Sequence, residues 1–545
     1  MHAPYNNISH LRIVFSQSLI TDKVLHHSYP GSGTPEDPYR IEFIPHDPRN
    51  PKTWKKWKKW LVTVTCAVAT LAVTFASSAF TGGITEMMEA FGVGTELITL
   101  GVSLFVLGFA IGPLLWGPLS ELYGRQILYF VTFAGLTAFN AGAAGAQNIQ
   151  TLLVLRFFAG AIGSSPLTNS GGVIADIFDA NERGLGMAIF SSAPFLGPAI
   201  GPIVGGFLGE TEGWRWVEGL MTIFTGVLWI AGSLIIPETY APVLLRRRAA
   251  KLSEITGKVY LSQLDYDRGK QTFSRTMSIA LSRPWKLLIR EPIVFLLSLY
   301  MAIIYGTLYL CFGAFPIVYQ EERGWSQGIG ALPFIGVVMG MMSGILYVIF
   351  YENKRYVRAA IKAGGKAPPE QRLHPAMVSC LALPIGLFWF AWTNSPSIHW
   401  IVSVIATAPF GFGMVLVFLS VFNYLIDSYV IYAASVLAAN SVLRSLFGAA
   451  FPLFTTYMFE NLGIHWASTV PAFLALACVP FPFLFYRYGS EIRKRCKYAA
   501  EAERFLRDIQ AEKDPEEQPD EADRETLREE ISGREGDLEK GEGNV

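Results

Sequence analysis

The chain has 545 residues, of which 51% are hydrophobic, 13% aromatic and only 16% charged. Soluble proteins carry about 25% charged residues, so this depletion argues against an ordinary water-soluble protein and points to lipid. The formal net charge of +0 hides a division: residues 501–545 hold 17 acidic and 7 basic side chains, a net of −10, and the rest of the chain carries +10.

Residues 1–60 form a polar N-terminal tail without the charged-then-apolar profile of a cleavable signal. The first apolar span is therefore expected to serve as the membrane signal. Asn7-Ile8-Ser9 fits the glycosylation pattern but falls on the side expected to be cytosolic. The run Trp54-Lys-Lys-Trp-Lys-Lys-Trp60 suits a membrane interface, and no nucleic-acid motif accompanies it. Stretches near the ~20 residues needed to cross a bilayer follow at 61–82, 97–117, 127–147, 151–174, 187–208 and 218–237. A second set lies at 293–316, 329–351, 375–393, 399–422, 431–457 and 468–486.

The fold class predicted is an all-α integral membrane protein. Its twelve transmembrane helices form two pseudo-symmetric six-helix bundles, 61–237 and 293–486, joined by a central loop at 238–292 and followed by an acidic tail at 487–545. The connector holds 11 Lys and Arg between Glu238 and Glu291, the loop from Glu352 to His374 holds 6, and the loops of the opposite side hold only Arg215 and Arg323. The positive-inside rule then places both termini and the central loop in the cytosol. The acidic tail reads as a solvated, disordered extension. Cys66, Cys311, Cys380 and Cys478 lie inside spans and Cys496 just after the last; their spacing suggests neither a metal site nor a disulfide framework.

Five regions carry candidate function. The loop Gly117-Pro-Leu-Ser-Glu121-Leu-Tyr-Gly124-Arg125 permits a tight turn, and Glu121 and Arg125 can pair with a neighbouring helix end to latch one face shut. An ordinary helix-turn-helix with solvated charges fits the same residues. In span 4, Arg156 costs about 2.5–3.5 kcal/mol to place in lipid; it either meets a partner or snorkels outward. Asp176 ends the same span and is expected to pair with a loop cation such as Arg183. Span 5 alternates Gly197, Gly201 and Gly205 with Pro194, Pro198 and Pro202, and Gly206 follows; this combination is suited to close packing and bending in lipid. In the second half Asn423 and Asp427 share a face of span 10, and Asn440 and Arg444 share a face of span 11. Arg444 satisfies Asp427, or backbone carbonyls, or works as a gate. Ser77 and Ser78 of span 1, with Tyr300, Tyr305, Tyr309 and Phe334, are candidates for a central cavity between the halves. Such a lining suits an amphipathic organic molecule better than a sugar.

These residues resemble the major facilitator superfamily, and within it the fungal drug:proton antiporters with twelve spans, over roughly residues 50–490. Gly117 to Arg125 is similar to the superfamily's cytosolic loop motif, with Glu121 in the place of an aspartate and departures at Leu122 and Gln126. Gly197-Pro198-Ala-Ile-Gly201-Pro202 with Gly205-Gly206 resembles a motif of antiporters. Gly213-Trp-Arg-Trp216, Pro237-Glu238-Thr239-Tyr-Ala-Pro242, Asn423 to Asp427 and Leu443-Arg444-Ser resemble further family features. The resemblance implies a secondary active efflux transporter that exports a drug, toxin or secondary metabolite by proton antiport, with Arg156 linked to proton transfer. Its partners would be a small organic substrate, protons and the lipid bilayer, with no nucleic acid; it would act as a monomer in the cell membrane. The proton gradient would supply the energy, because nothing resembles a nucleotide-binding phosphate loop. No cofactor, metal or catalytic residue is expected. An uptake permease of the same fold and a non-transporting sensor are the alternatives. Spans 1–9 offer no carboxylate read as deep, Glu86, Glu89 and Glu218 being placed at outer ends, so the proton carrier is left unassigned.

Overall fold

The structure, a computed structural model, describes residues 8–179, 182–269, 272–363 and 367–513. Among these residues 11 helical stretches are long and apolar enough to cross a membrane. In hydrocarbon a helix is the only open-ended way for a chain to satisfy its own backbone. The stretches are Lys56–Phe91, Thr95–Tyr123, Arg125–Ala144, Ile149–Ile177, Leu185–Glu212, Trp214–Ile235, Pro292–Glu321, Gln327–Lys362, Pro369–Thr393, Trp400–Ser428 and Val430–Arg495. The last runs for 66 residues and turns at Gly463, whose φ of 73° and ψ of 165° are not helical. It is therefore two spans, and the total is twelve, numbered 1 to 12 below.

Burial sorts the spans by position. Span 6 buries only 22% of its most apolar stretch and turns Ile223, Val227 and Ile230 outward, whereas span 7 buries 83%. Span 6 lies on the lipid rim and span 7 at the centre. The helix of span 5, Arg183–Glu212, is continuous through Pro194, Pro198 and Pro202. It lies along span 1 on a ridge of small residues. A Cβ on Gly197 would strike Thr74, one on Gly201 would strike Ser78 and the Phe75 carbonyl, and one on Gly205 would strike the backbone of Ala79. Gly206 faces away from this seam, toward Gln327, Gly328 and Ala331 of span 8. Lipid supplies no hydrophobic drive between helices, so such backbone proximity and its dispersion contacts carry the association.

The two halves repeat one charge arrangement on the face that bears the tails. Arg125 at the start of span 3 meets Asp176 at the end of span 4, Nε to Oδ2 3.5 Å. Arg372 at the start of span 9 meets Asp427 at the end of span 10, Nε to Oδ2 2.9 Å.

Outside the bilayer the fold adds what hydropathy did not reveal. Strand β1 (Tyr39–Ile41) of the N-terminal tail pairs in parallel with β2 (Tyr260–Ser262) of the connector. Beneath them Val24, Tyr29, Ile41 and Ile44 pack against Ala249 and Leu252. Arg248 and Asp47 form a buried ion pair at 2.5 Å, and burial pulls the Arg49 guanidinium down to about 10 against the opposing pull of Glu238. This small sheet is an addition to the all-α fold and leaves its class unchanged. The disordered acidic extension is corrected in part: Lys497–Lys513 is a helix, with Ala499 and Ala502 buried and the Tyr498 amide donating to Glu291 at 2.9 Å. Residues 514–545, most of the expected disordered tail, lie outside the described residues.

The seam of spans 1 and 5 yields a direct prediction. Gly201→Val forces a branched side chain into Phe75 and Ser78 and should destabilise the fold by about 1–3 kcal/mol, the usual cost of overpacking. Thermal unfolding in detergent should show a lowered midpoint, while Gly94→Ala, with nothing within 4 Å of the added carbon, should match the wild type. Equal midpoints for all three proteins would mean that the seam yields freely.

Candidate functional site

The tight turn between spans 2 and 3 is built around Gly124, at φ +102°, where an added Cβ would collide with the Glu238 carboxylate. That carboxylate caps span 3. Its oxygens accept from the amides of Arg125 at 3.0 Å, Gln126 at 3.2 Å, Thr239 at 3.0 Å and Tyr240 at 2.9 Å. A negative charge at a helix N-terminus is favoured by the orphan amides and the helix dipole together. Arg125 lies 4.9 Å from the Tyr240 ring centroid and also donates to Ser120. Burial pushes the Tyr240 phenol up to about 12, helped by nearby Glu121. Asp176 thus pairs with Arg125; the side chain of Arg183, its expected partner, lies outside the described residues. Glu121 stays on the exposed side, and the capping carboxylate comes instead from Glu238.

Arg156 does not snorkel. It is 0% exposed and donates to the carbonyls of Ala76 at 3.0 Å, Ser77 at 3.2 Å and Gly101 at 3.3 Å. Its Nη1 lies 3.5 Å from Oε1 of Glu218, and the Phe80 and Phe105 rings flank it at 4.5 and 4.3 Å. Glu218 is 1% exposed although it lies one turn in from the outer end of span 6, which corrects the reading that spans 1–9 hold no deep carboxylate. The helix starts at Trp214, and its buried stripe runs Trp214, Glu218, Met221, Thr225, Leu228 and Gly232. That period was available in the sequence; the late start assigned to span 6 concealed it. Oε2 of Glu218 has no hydrogen-bond partner among the described residues.

From this pair a polar path crosses to the other half. Ser77, whose carbonyl Arg156 holds, puts its hydroxyl 2.7 Å from the Tyr309 hydroxyl of span 7. Tyr305 donates to Tyr309 at 3.3 Å, and its ring lies 4.9 Å from the Arg444 guanidinium carbon. Ser77, Tyr305, Tyr309, Arg156 and Arg444 are thus brought together. Phe195 of span 5 and Phe418 of span 10 close the same layer at 4.3 Å. The other sequence candidates lie elsewhere. Ser78 bonds its own helix at Phe75 and sits in the seam with span 5. Asn440 donates to Ser298 at 3.2 Å inside the second half, Asn423 bonds Leu419 of its own helix, and Phe334 packs on Phe312 and Phe315. Tyr300 is buried, and its hydroxyl has no hydrogen-bond partner among the described residues. Asp427 is taken by Arg372, so it is not the partner of Arg444.

On the face opposite the tails the halves are joined again. The Gly328 amide donates to Glu210 at 2.7 Å, and the Gln327 side chain donates to the Gly82 carbonyl. Among the described residues, the hydrogen bonds crossing between halves sit at these two levels, the centre and the far face.

A family model described as "Major Facilitator Superfamily" matches residues 66–452. The chain belongs to that superfamily. It is 62% identical over 502 residues to "MFS-type efflux pump MFS2" of Trichophyton rubrum, covering 92% of this chain and 84% of that protein. It is 61% identical over 502 residues to "Major facilitator superfamily multidrug transporter mdrA" of Aspergillus fumigatus, covering 92% of this chain and 82% of that one. Among solved structures the proton:xylose symporter XylE, bound to a bromo-sugar, superposes with a TM-score of 0.57 at 14% identity, covering 80% of this chain and 96% of that one. That likeness shows the major facilitator fold and no more.

The Glu238 cap supports a second prediction. Glu238→Gln leaves one accepting oxygen and turns an amide donor toward backbone N–H groups, so stability should fall by about 1–3 kcal/mol. A lower unfolding midpoint in detergent is expected; an unchanged one would show that the cap carries no stability.

Proposed function

We propose that this chain is a secondary active exporter that exchanges protons for an amphipathic organic molecule by alternating access. The efflux names of its close fungal relatives support the direction, and the positive-inside balance supports a cytosolic tail face; the chain works as a monomer in the cell membrane. In that orientation the far-face contacts close the exterior, and the described state belongs to the cytosol-facing or occluded part of the cycle. Rocking of the halves would separate Gln327 from Gly82 and Ser77 from Tyr309, and the glycine seam of span 5 lets that helix travel against span 1.

The observation that carries the coupling is the buried Glu218–Arg156 pair, tied through Ser77 to Tyr309 of the opposite half. Glu218 sits one turn from the outer end of span 6 and is the carboxylate suited to receive an external proton. Protonation cancels its charge and weakens its hold on Arg156, which shares the Ser77 segment with the gate. The proton state of Glu218 and the closure at Ser77–Tyr309 would then bias one another. An uptake permease would use the same parts in reverse, and the relatives' names argue against it.

In a transporter-depleted fungal host, a panel of organic compounds should leave cells expressing this chain, and a protonophore should stop that loss. Accumulation would reverse the direction, and absence of any flux would favour a sensor. For the coupling, Glu218→Gln mimics the protonated carboxyl. Reconstituted into liposomes, the variant should lose at least about tenfold of its pH-gradient-driven transport (~1.4 kcal/mol) while keeping substrate counterflow. Gradient-driven transport at the wild-type rate would remove Glu218 from the proton path.

A further inference from the structure

The second half holds one interior charge that its fold leaves unanswered. Arg444 is 5% exposed, midway along span 11, and its buried Nε has no hydrogen-bond partner among the described residues. Its neighbours are rings, Tyr305 at 4.9 Å and Phe418 at 5.8 Å, and the titratable groups facing it are Tyr305 and Tyr309. The carboxylates at the tail-face end of the second half are engaged with other partners. Asp427 holds Arg372, Glu352 holds Arg355 and His374, Glu370 holds Arg493, and Glu291 accepts from Tyr429. Ser441, one turn before Arg444, and Ser445 beside it also keep buried hydroxyl oxygens without partners.

The contrast with Arg156 is informative. There the same side chain, also buried, is met by three carbonyls and a carboxylate. An unpaired charge in a low-dielectric interior is costly, and a cation over an aromatic face recovers only part of that cost. The shortfall at Arg444 is the free energy an incoming anion would gain. The site also lies where a transported molecule must pass: Phe418 touches Phe195 across the halves, and Tyr305 bonds the tyrosine that closes on Ser77.

We propose that Arg444 receives the acidic head group of the substrate, so that the exported compounds are amphipathic organic acids. The head group, a carboxylate or sulfonate, accepts a forked pair of hydrogen bonds from the guanidinium. The apolar body lies on Tyr305, Phe418 and Phe195 once the halves part. This assignment rests on the export reading above and names its substrate class.

The test compares permanently charged probes with a neutral one, each rate corrected for entry into protein-free liposomes. The full chain is reconstituted into liposomes with a pH gradient, and uptake is followed for 2-naphthalenesulfonate, the neutral 2-naphthalenesulfonamide and trimethyl(2-naphthyl)ammonium, and for the same three head groups on an n-octyl chain. The sulfonates should be moved at least about tenfold faster than their neutral and cationic counterparts, and 50-fold excess inorganic phosphate should not compete. Arg444→Gln should bring the anion-to-neutral ratio close to one, with Arg444→Lys restoring part of it. Equal handling of the three head groups in both skeletons, an undiminished ratio in a monodisperse Arg444→Gln protein, or competition by phosphate would overturn the assignment and leave export standing. Movement of no probe, with no exchange either, would sink the export reading and the assignment with it. If Arg444→Gln fails to fold, the head-group ranking of the wild type and the Arg444→Lys ratio still decide.

Discussion

A guanidinium in hydrocarbon demands compensation, and the interior of this protein is arranged around two of them. In the first half Arg156 draws together the carbonyls of spans 1 and 2 and the Glu218 carboxylate of span 6. Those bonds fix where spans 1, 2, 4 and 6 meet, because moving any of them would leave a buried charge or carbonyl exposed to an apolar medium. The Phe80 and Phe105 rings pack on the guanidinium and keep water from it. In the second half Arg444 occupies a layer of tyrosines and phenylalanines without an equivalent shell. One half thus holds a compensated guanidinium and the other an uncompensated one, and Ser77, Tyr309 and Tyr305 lie between them.

The remainder of the fold lets that layer open and close. Helices in lipid adhere through close backbone contact, and span 5 presents glycine to span 1 on one face and Gly206 to span 8 on another. The duplicated Arg–Asp clasps, Arg125–Asp176 and Arg372–Asp427, each lie within one half. They hold a bundle together without tying it to its partner, and the hydrogen bonds that do join the halves lie at the centre and the far face. Such a division suits two bodies that rock: strong bonds inside each, few and polar between them. The connector and N-terminal tail add a further restraint through β1, β2 and the Arg248–Asp47 pair, which brace the end of span 6 next to Glu238.

Much of this could be read from the residues. Twelve spans followed from hydropathy alone, because lipid imposes length and composition directly, and the Gly-Pro period of span 5 announced close packing. Arg156 and Arg444 were recognisable as costly, but their opposite circumstances were not, since a partner 62 residues away in the chain, as Glu218 is from Arg156, has no local signature. Glu218 itself was set aside as an outer-end residue because the helix boundary was drawn four residues late, and helix ends are the least legible part of any span. Glu238 is a similar case: its role depends on the turn at Gly124, which another span end brings to it. Asn423, Ser78 and Asn440 were chosen for polarity within apolar runs, and each turned out to serve its own helix or a neighbour in its own half. The tail helix and the small parallel sheet were invisible for a different reason, since their apolar residues are too few and scattered to stand out beside the spans.

The central claim is that the far face opens and closes under control of the Glu218 charge. Double electron–electron resonance between spin labels at Thr211→Cys and Glu322→Cys, exposed positions on the far side of either half, measures this directly; the five native cysteines are all buried. The account predicts a short-distance population at neutral pH and a second, longer one that grows when Glu218→Gln removes the charge. A single distance, unchanged by that substitution and by acid, would contradict it.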